Sequence, residues 1–247
     1  MGDHASWITR FRAVPRAPVQ LVCFPHAGGS AGFYFPMAAP LAPQAEVLAV
    51  QYPGRQNRRF EPCVDDIGEL ADAVVAALGQ WQDRPLALFG HSMGAVVAFE
   101  TARRLALPPV RLFVSGRRAP SAYRAESVHL RDDDGIVAEL RALSGTDAGI
   151  LGDEEFLRMI LPAIRADYRA IETYRSAPDA VLDLPVTALT GDSDPRVSVD
   201  EARAWSAHTT GAFDLAVFPG GHFFLADHQR DVLALIARGI SASSASK

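Results

Sequence analysis

Ser92 lies in Gly90-His91-Ser92-Met93-Gly94, a spacing that could support nucleophilic chemistry. A serine hydroxyl is a weak nucleophile at neutral pH and needs an adjacent base, usually a histidine oriented by a carboxylate. G-x-S-x-G at a strand-to-helix junction is a nucleophile elbow, in which a sharp turn lifts the hydroxyl above the sheet. Glycines suit the flanking positions because a Cβ there would meet the neighbouring strand or helix. The following helix points its N-terminal dipole at the serine, where negative charge develops during acyl transfer.

Downstream of Ser92, the histidines are His129, His208, His222 and His228. His222 lies in the glycine-rich loop Pro219-Gly220-Gly221-His222-Phe223-Phe224, which can carry an imidazole over the serine. His228 reads as a surface or capping residue and His208 as an exposed helix end, so His222 is preferred. For the carboxylate, Gly191-Asp192-Ser193-Asp194-Pro195 offers two. Asp194 precedes proline and is biased towards an extended backbone, whereas Asp192 reads as a turn residue bonding its own loop. Asp194 is therefore the preferred acid. The backbone N–H groups of Met93, just after the nucleophile, and Ala27, in Phe24-Pro25-His26-Ala27-Gly28-Gly29-Ser30, are the candidate oxyanion donors.

Positioning these groups calls for a layered α/β scaffold. Strand-like runs recur at 20–23, 46–51, 86–90, 110–115, 185–190 and 213–218, with helical patterns at about 31–42, 65–82, 93–106 and 225–240. Such alternation predicts a mainly parallel sheet covered on both faces. With the order serine, acid, histidine, it points to an α/β-hydrolase fold over residues 1–247, a single domain with a helical lid inserted at about 120–180. Within that insertion Phe156, Ile160, Ile164, Tyr168, Ile171 and Tyr174 follow a helical spacing, and Pro162 marks a kink or a helix start. Phe156, Ile160 and Tyr168 are candidates for lining an acyl channel, although core packing would explain each equally well. Residues 1–17 read as a loosely packed arm, and the Ser/Ala-rich C-terminal tail as disordered.

Composition narrows the field. A net charge of −5 without a dense Lys/Arg tract argues against nucleic-acid binding. Cys23 and Cys63 are too few for a disulfide framework, and no Cys/His spacing resembles a metal site. No apolar run approaches the length of a membrane span, so a soluble, cytoplasmic protein is expected, with nothing demanding more than a monomer.

The assembled motifs resemble those of type II thioesterases of polyketide and nonribosomal-peptide assembly lines, from about residue 18 to 240. Besides the loops already quoted, the resemblance is carried by Tyr52-Pro53-Gly54-Arg55, Val114-Ser115-Gly116-Arg117-Arg118-Ala119-Pro120 and Leu161-Pro162-Ala163-Ile164-Arg165-Ala166-Asp167-Tyr168. It implies hydrolysis of stalled or aberrant acyl groups from the phosphopantetheine thiol of acyl or peptidyl carrier proteins, with Ser92, Asp194 and His222 as the triad. No metal and no cofactor are implied beyond the phosphopantetheine of the substrate. Arg117 and Arg118, like Arg55, Arg58 and Arg59, could meet the pantetheine phosphate or an acidic carrier surface. Pairing with local acids is the favoured alternative for these arginines. A small-ester carboxylesterase would share the triad, and a non-catalytic scaffold on the same fold is the alternative from another class.

Overall fold

The computed structural model describes residues 4–143 and 154–245. Seven strands form one sheet: β1 (Ile8–Arg10), β2 (Val19–Phe24), β3 (Ala45–Val50), β4 (Leu86–His91), β5 (Arg111–Ser115), β6 (Val186–Gly191) and β7 (Phe213–Phe218). Their spatial order is β1-β3-β2-β4-β5-β6-β7. Strands β2 to β7 pair in parallel, and β1 adds antiparallel to β3, with Ile8 opposite Val50. Every residue of β2, β3, β4, β5 and β6 is buried, as strands covered on both faces require.

Side chains alternate between two apolar layers. Val22, Leu48 and Leu88 face α2 (Ile67–Leu78) and α3 (Met93–Arg104), while Cys23, Ala49 and Phe89 face α1 (Phe35–Leu41) and a C-terminal helix. Asp66 caps α2 by accepting the Glu69 N–H. The long β5–β6 connection holds α4 (Asp133–Ala142) and α5 (Glu154–Thr173). The acidic run noted in the sequence starts α4, with the Asp132 carboxylate accepting from Gly135 N–H. Val128, Ile136, Val137, Leu161, Ile164 and Tyr168 form a small core between these segments. Ala170 and Ile171, further along α5, join the main core, so one helix serves both the cover and the sheet. After β6 come α6 (Val199–Arg203), then α7 (Phe224–Asp227) and α8 (Gln229–Ala245) beyond β7.

Three local expectations are corrected. The N-terminal segment is not a loose arm throughout: Ile8–Arg10 pairs with β3, and Trp7 and Ile8 are buried. Pro162 does not start a helix but lies inside α5. The C-terminal helix divides at His228, and α8 continues to Ala245, through most of the segment read as a disordered tail.

Candidate active site

Ser92 follows β4 and precedes α3 with φ 54° and ψ −120°, a left-handed φ that is uncommon outside glycine. The chain can make this turn because positions 90 and 94 lack side chains. A Cβ at Gly90 would lie 2.2 Å from the Gly94 carbonyl oxygen, and one at Gly94 would lie 2.1 Å from that of Phe24. Both contacts are with backbone, which cannot give way cheaply. The Ser92 N–H donates to Ser115 O at 2.8 Å, tying the elbow to β5.

His222 bridges two elements. Its Nε2 is 3.0 Å from Ser92 Oγ, and its Nδ1 is 2.9 Å from Asp194 Oδ2. The other oxygen of Asp194 accepts the Arg196 N–H at 2.8 Å, which fixes the carboxylate plane. Asp192 does not reach the imidazole. Its Oδ1 accepts Gly220 N–H at 3.0 Å, pinning the loop that carries His222 to the end of β6. Of the other histidines, His208 is buried rather than exposed. It is held between Ala180 O, 2.8 Å from Nδ1, and Ser121 N–H, which donates to Nε2 at 3.2 Å. His129 bonds Glu172, and His228 packs beside Phe218.

Two histidines surround the triad without joining it. The His91 ring is 5.1 Å from that of His222 and 5.9 Å from that of His26, and its Nδ1 is 3.0 Å from Ser115 Oγ. Burial, reinforced by His222 and His26, holds His91 well below the ordinary imidazole pKa. Burial, with smaller contributions from His222 and Arg55, lowers His26 to about 3. Both rings are neutral at neutral pH, and of the three imidazoles it is that of His222 that reaches Ser92 Oγ.

Ser92, His222, Ala27 and Met93 open onto a cavity of about 790 Å³. Met93 is the first residue of α3, so its N–H has no carbonyl to bond within that helix. The loop bearing Ala27 is held from below by Tyr34 Oη donating to Phe24 O at 2.7 Å and Tyr52 Oη donating to Pro25 O at 3.4 Å. From above, the Asp167 carboxylate on α5 accepts Gly28 N–H at 2.7 Å. The same carboxylate receives both Arg55 terminal nitrogens, at 2.6 and 2.8 Å, and the pair is buried. Arg55 Nη1 also donates to Gly29 O at 3.2 Å.

The thioesterase domain family model matches residues 19–240. The chain belongs to the thioesterase family. A Streptomyces griseus protein named "Probable cadicidin biosynthesis thioesterase" is 56% identical over 239 residues, which cover 96% of this chain and 66% of that relative. This thioesterase therefore spans slightly under two thirds of that relative's length. The solved type II thioesterase BorB, from the borrelidin biosynthetic cluster, is 54% identical with a TM-score of 0.89, covering 95% of this chain and 98% of that one. YbtT, a type II thioesterase from the yersiniabactin NRPS/PKS pathway, is 30% identical with a TM-score of 0.87, covering 96% and 99%. Both sequence and fold place the thioesterase with the type II members of its family.

In the thioesterase, Ile160 and Tyr168 border the cavity and also pack in or against the small core around Val128, so both readings of these residues stand. The Phe156 side chain lies outside the described residues. Of the arginines considered for carrier docking, Arg118 is buried and paired with Glu126, so it offers no cation to a protein surface. Arg117 stands in the cavity wall. Arg55 is committed to Asp167, and Arg58 to Glu61, the Gln51 carbonyl and the Trp7 ring at 4.2 Å. Arg59 remains exposed at the cavity edge. Asp167 was missed as a site-building residue, although the segment containing it was among the family-like motifs. Its acidic type gives no hint that its partner lies 112 residues away.

Proposed function

We propose that this thioesterase hydrolyses acyl thioesters carried on the phosphopantetheine arm of acyl or peptidyl carrier proteins, releasing stalled or aberrant groups from a synthase. The observation that carries the chemistry is His222 bonded at once to Ser92 Oγ and Asp194 Oδ2. In the first step His222 Nε2 takes the Ser92 proton as Oγ attacks the thioester carbonyl. Asp194 stabilises the imidazolium, and the Met93 and Ala27 amides receive the oxyanion. Collapse expels the pantetheine thiolate, which takes the proton from His222, and leaves an acyl-serine. Water, deprotonated by His222, then attacks that ester, and the acid is released with Ser92 restored. No step requires a metal or redox cofactor.

Kinship with pathway thioesterases supports the carrier-bound substrate, as does a cavity large enough for an acyl group and part of its arm. No described helix is long and apolar enough to cross a membrane. The test compares hydrolysis of acyl-carrier protein, acyl-pantetheine and a simple ester of the same acyl group. Wild type should favour the carrier-bound substrate, and Ser92→Ala should abolish both turnover and acyl-enzyme formation seen by mass spectrometry. Equal turnover of carrier thioester and free ester would overturn the editing role in favour of a carboxylesterase. Carrier binding with no Ser92-dependent hydrolysis would leave a scaffold.

A further inference from the structure

Arg117 is partly buried, and its side chain donates no hydrogen bond to any of the described residues. Its Nε is buried without a hydrogen-bond partner, and among the described residues no carboxylate lies within ion-pair distance of its guanidinium. The two nearby acids are already engaged. Glu126 accepts from Arg118 and from Arg196 Nη1, the latter at 3.0 Å. Glu172 accepts from Val128 N–H at 2.9 Å and His129 N–H at 3.1 Å, and lies 2.5 Å from His129 Nδ1. A buried donor group left without acceptors is costly and calls for an explanation. Here the explanation is supplied by place: Arg117 lines the same cavity as Ser92 and His222.

Its position is fixed from both sides. The Arg117 carbonyl accepts Trp205 Nε1–H at 2.8 Å, and the preceding Gly116, at φ +59°, packs against the site itself. A Cβ on Gly116 would stand 2.6 Å from His91 Cε1 and 3.5 Å from His222 Cε1. Gln56, Asn57 and Arg59 also line the cavity and are exposed. Buried Tyr168, Ile171 and Glu172 line the cavity together with Arg117 and Glu126.

We propose that Arg117 is a specificity residue that binds an acceptor oxygen on the acyl chain, namely a keto, hydroxyl or carboxylate oxygen, and so favours oxygenated over plain alkyl acyl groups. This rests on the cavity being the acyl site of the proposed thioester hydrolysis. An alkyl chain would fill the apolar wall formed by Ile160, Ile164 and Ile171 but leave the guanidinium unpaired. An oxygenated chain satisfies both, and Arg suits the role because its planar fork can hold one or two oxygens. Burial, with Arg118 beside it, already presses the Arg117 pKa down to about 9, and an acceptor would relieve that pressure.

The test measures kcat/KM for pantetheine thioesters of butanoyl, 3-hydroxybutanoyl, 3-oxobutanoyl and malonyl groups, each normalised to its rate of alkaline hydrolysis. Wild type should prefer at least one oxygenated group over butanoyl by about tenfold, as a charge-assisted hydrogen bond allows. The malonyl arm distinguishes a carboxylate from a keto or hydroxyl partner. In Arg117→Met that ratio should fall to about one, and in Arg117→Lys it should fall between. A wild type indifferent to oxygenation, or an Arg117→Met variant that keeps the preference, would overturn the assignment. The wild-type ratio decides even if a variant does not fold. Failure of wild type to hydrolyse any of the four would instead overturn the thioesterase reading on which the proposal stands.

Discussion

Ser92 is held in a backbone conformation that costs about 1–3 kcal/mol elsewhere, and the close contacts at Gly90 and Gly94 keep it there. The geometry separates two acids that lie one residue apart. Asp194 touches the imidazole, so Asp194→Asn should lower kcat by about 10⁴-fold with the fold intact. Asp192 holds only the Gly220 amide, so Asp192→Asn should cost about tenfold at most, because an amide oxygen can still accept that bond. Steady-state kinetics with thermal melts for both variants check this, and equal losses would count against the assignment of the acid. That Ser92, Asp194 and His222 would meet was legible in the sequence because each lies in a loop whose glycines and prolines mark a strand end. The full burial of His91 and the partial burial of His26 were not legible, since an imidazole in such a motif can equally face water. Both have a consequence for stability. Both side chains titrate near 6.5 in the unfolded chain and lower in the fold. Below about pH 6.5 the unfolded state takes up protons that the native state refuses. Stability is therefore full above that pH and falls as pH drops towards the lowered native values. His91, fully buried, should contribute a slope of up to about 1.4 kcal/mol per pH unit. Urea unfolding between pH 7 and 5 should show a shallower decline in His91→Phe than in wild type.

Individual elements show a different division between what the sequence revealed and what it hid. The central strands were visible as short apolar runs and α3 as a helical pattern ending in arginines, because these elements depend on local periodicity. The link between α5 and the loop after β2 depends on a contact across the cavity, and a single Arg or Asp gives no local sign of it. That link joins Arg55, Asp167 and the amide of Gly28, one residue from the proposed oxyanion donor Ala27. Removing one partner strands a buried charge, so Asp167→Ala or Arg55→Met should each destabilise the fold by about 3–5 kcal/mol. Removing both with apolar residues of similar volume leaves no charge to strand, and the double variant Arg55→Met/Asp167→Leu should recover most of that loss. Chemical denaturation of the three variants measures the coupling. Additive losses would mean that the two side chains stabilise the fold independently, despite their bidentate geometry.

At the scale of the whole molecule, the N-terminal segment turns out to buttress the site. Its three-residue strand is too short, and its prolines and arginines too polar, to announce a strand from periodicity alone. The edge of β3 supplies the template instead, and two anchors secure the pairing. The Trp7 carbonyl accepts Gln51 N–H at 2.8 Å, and the Trp7 ring lies under the Arg58 guanidinium. From there the contacts run inward. Arg58 Nη1 donates to Gln51 O at 2.8 Å, the Gln51 side chain accepts Ala31 N–H at 3.1 Å, and Arg55 begins the turn that Arg58 closes. Trp7 is thus two contacts from both the Ala27 loop and the Arg55–Asp167 pair, although it touches neither substrate cavity nor triad. Trp7→Ala should cost about 3–5 kcal/mol through the void left by the ring. If the buttress transmits to the site, kcat should also fall in Trp7→Ala at temperatures well below its melting transition, while an exposed control such as Leu107→Ala leaves kcat unchanged. Loss of stability with wild-type kcat would confine the N-terminal strand to covering the sheet edge, where it shields the unpaired backbone groups of β3 from association with other chains.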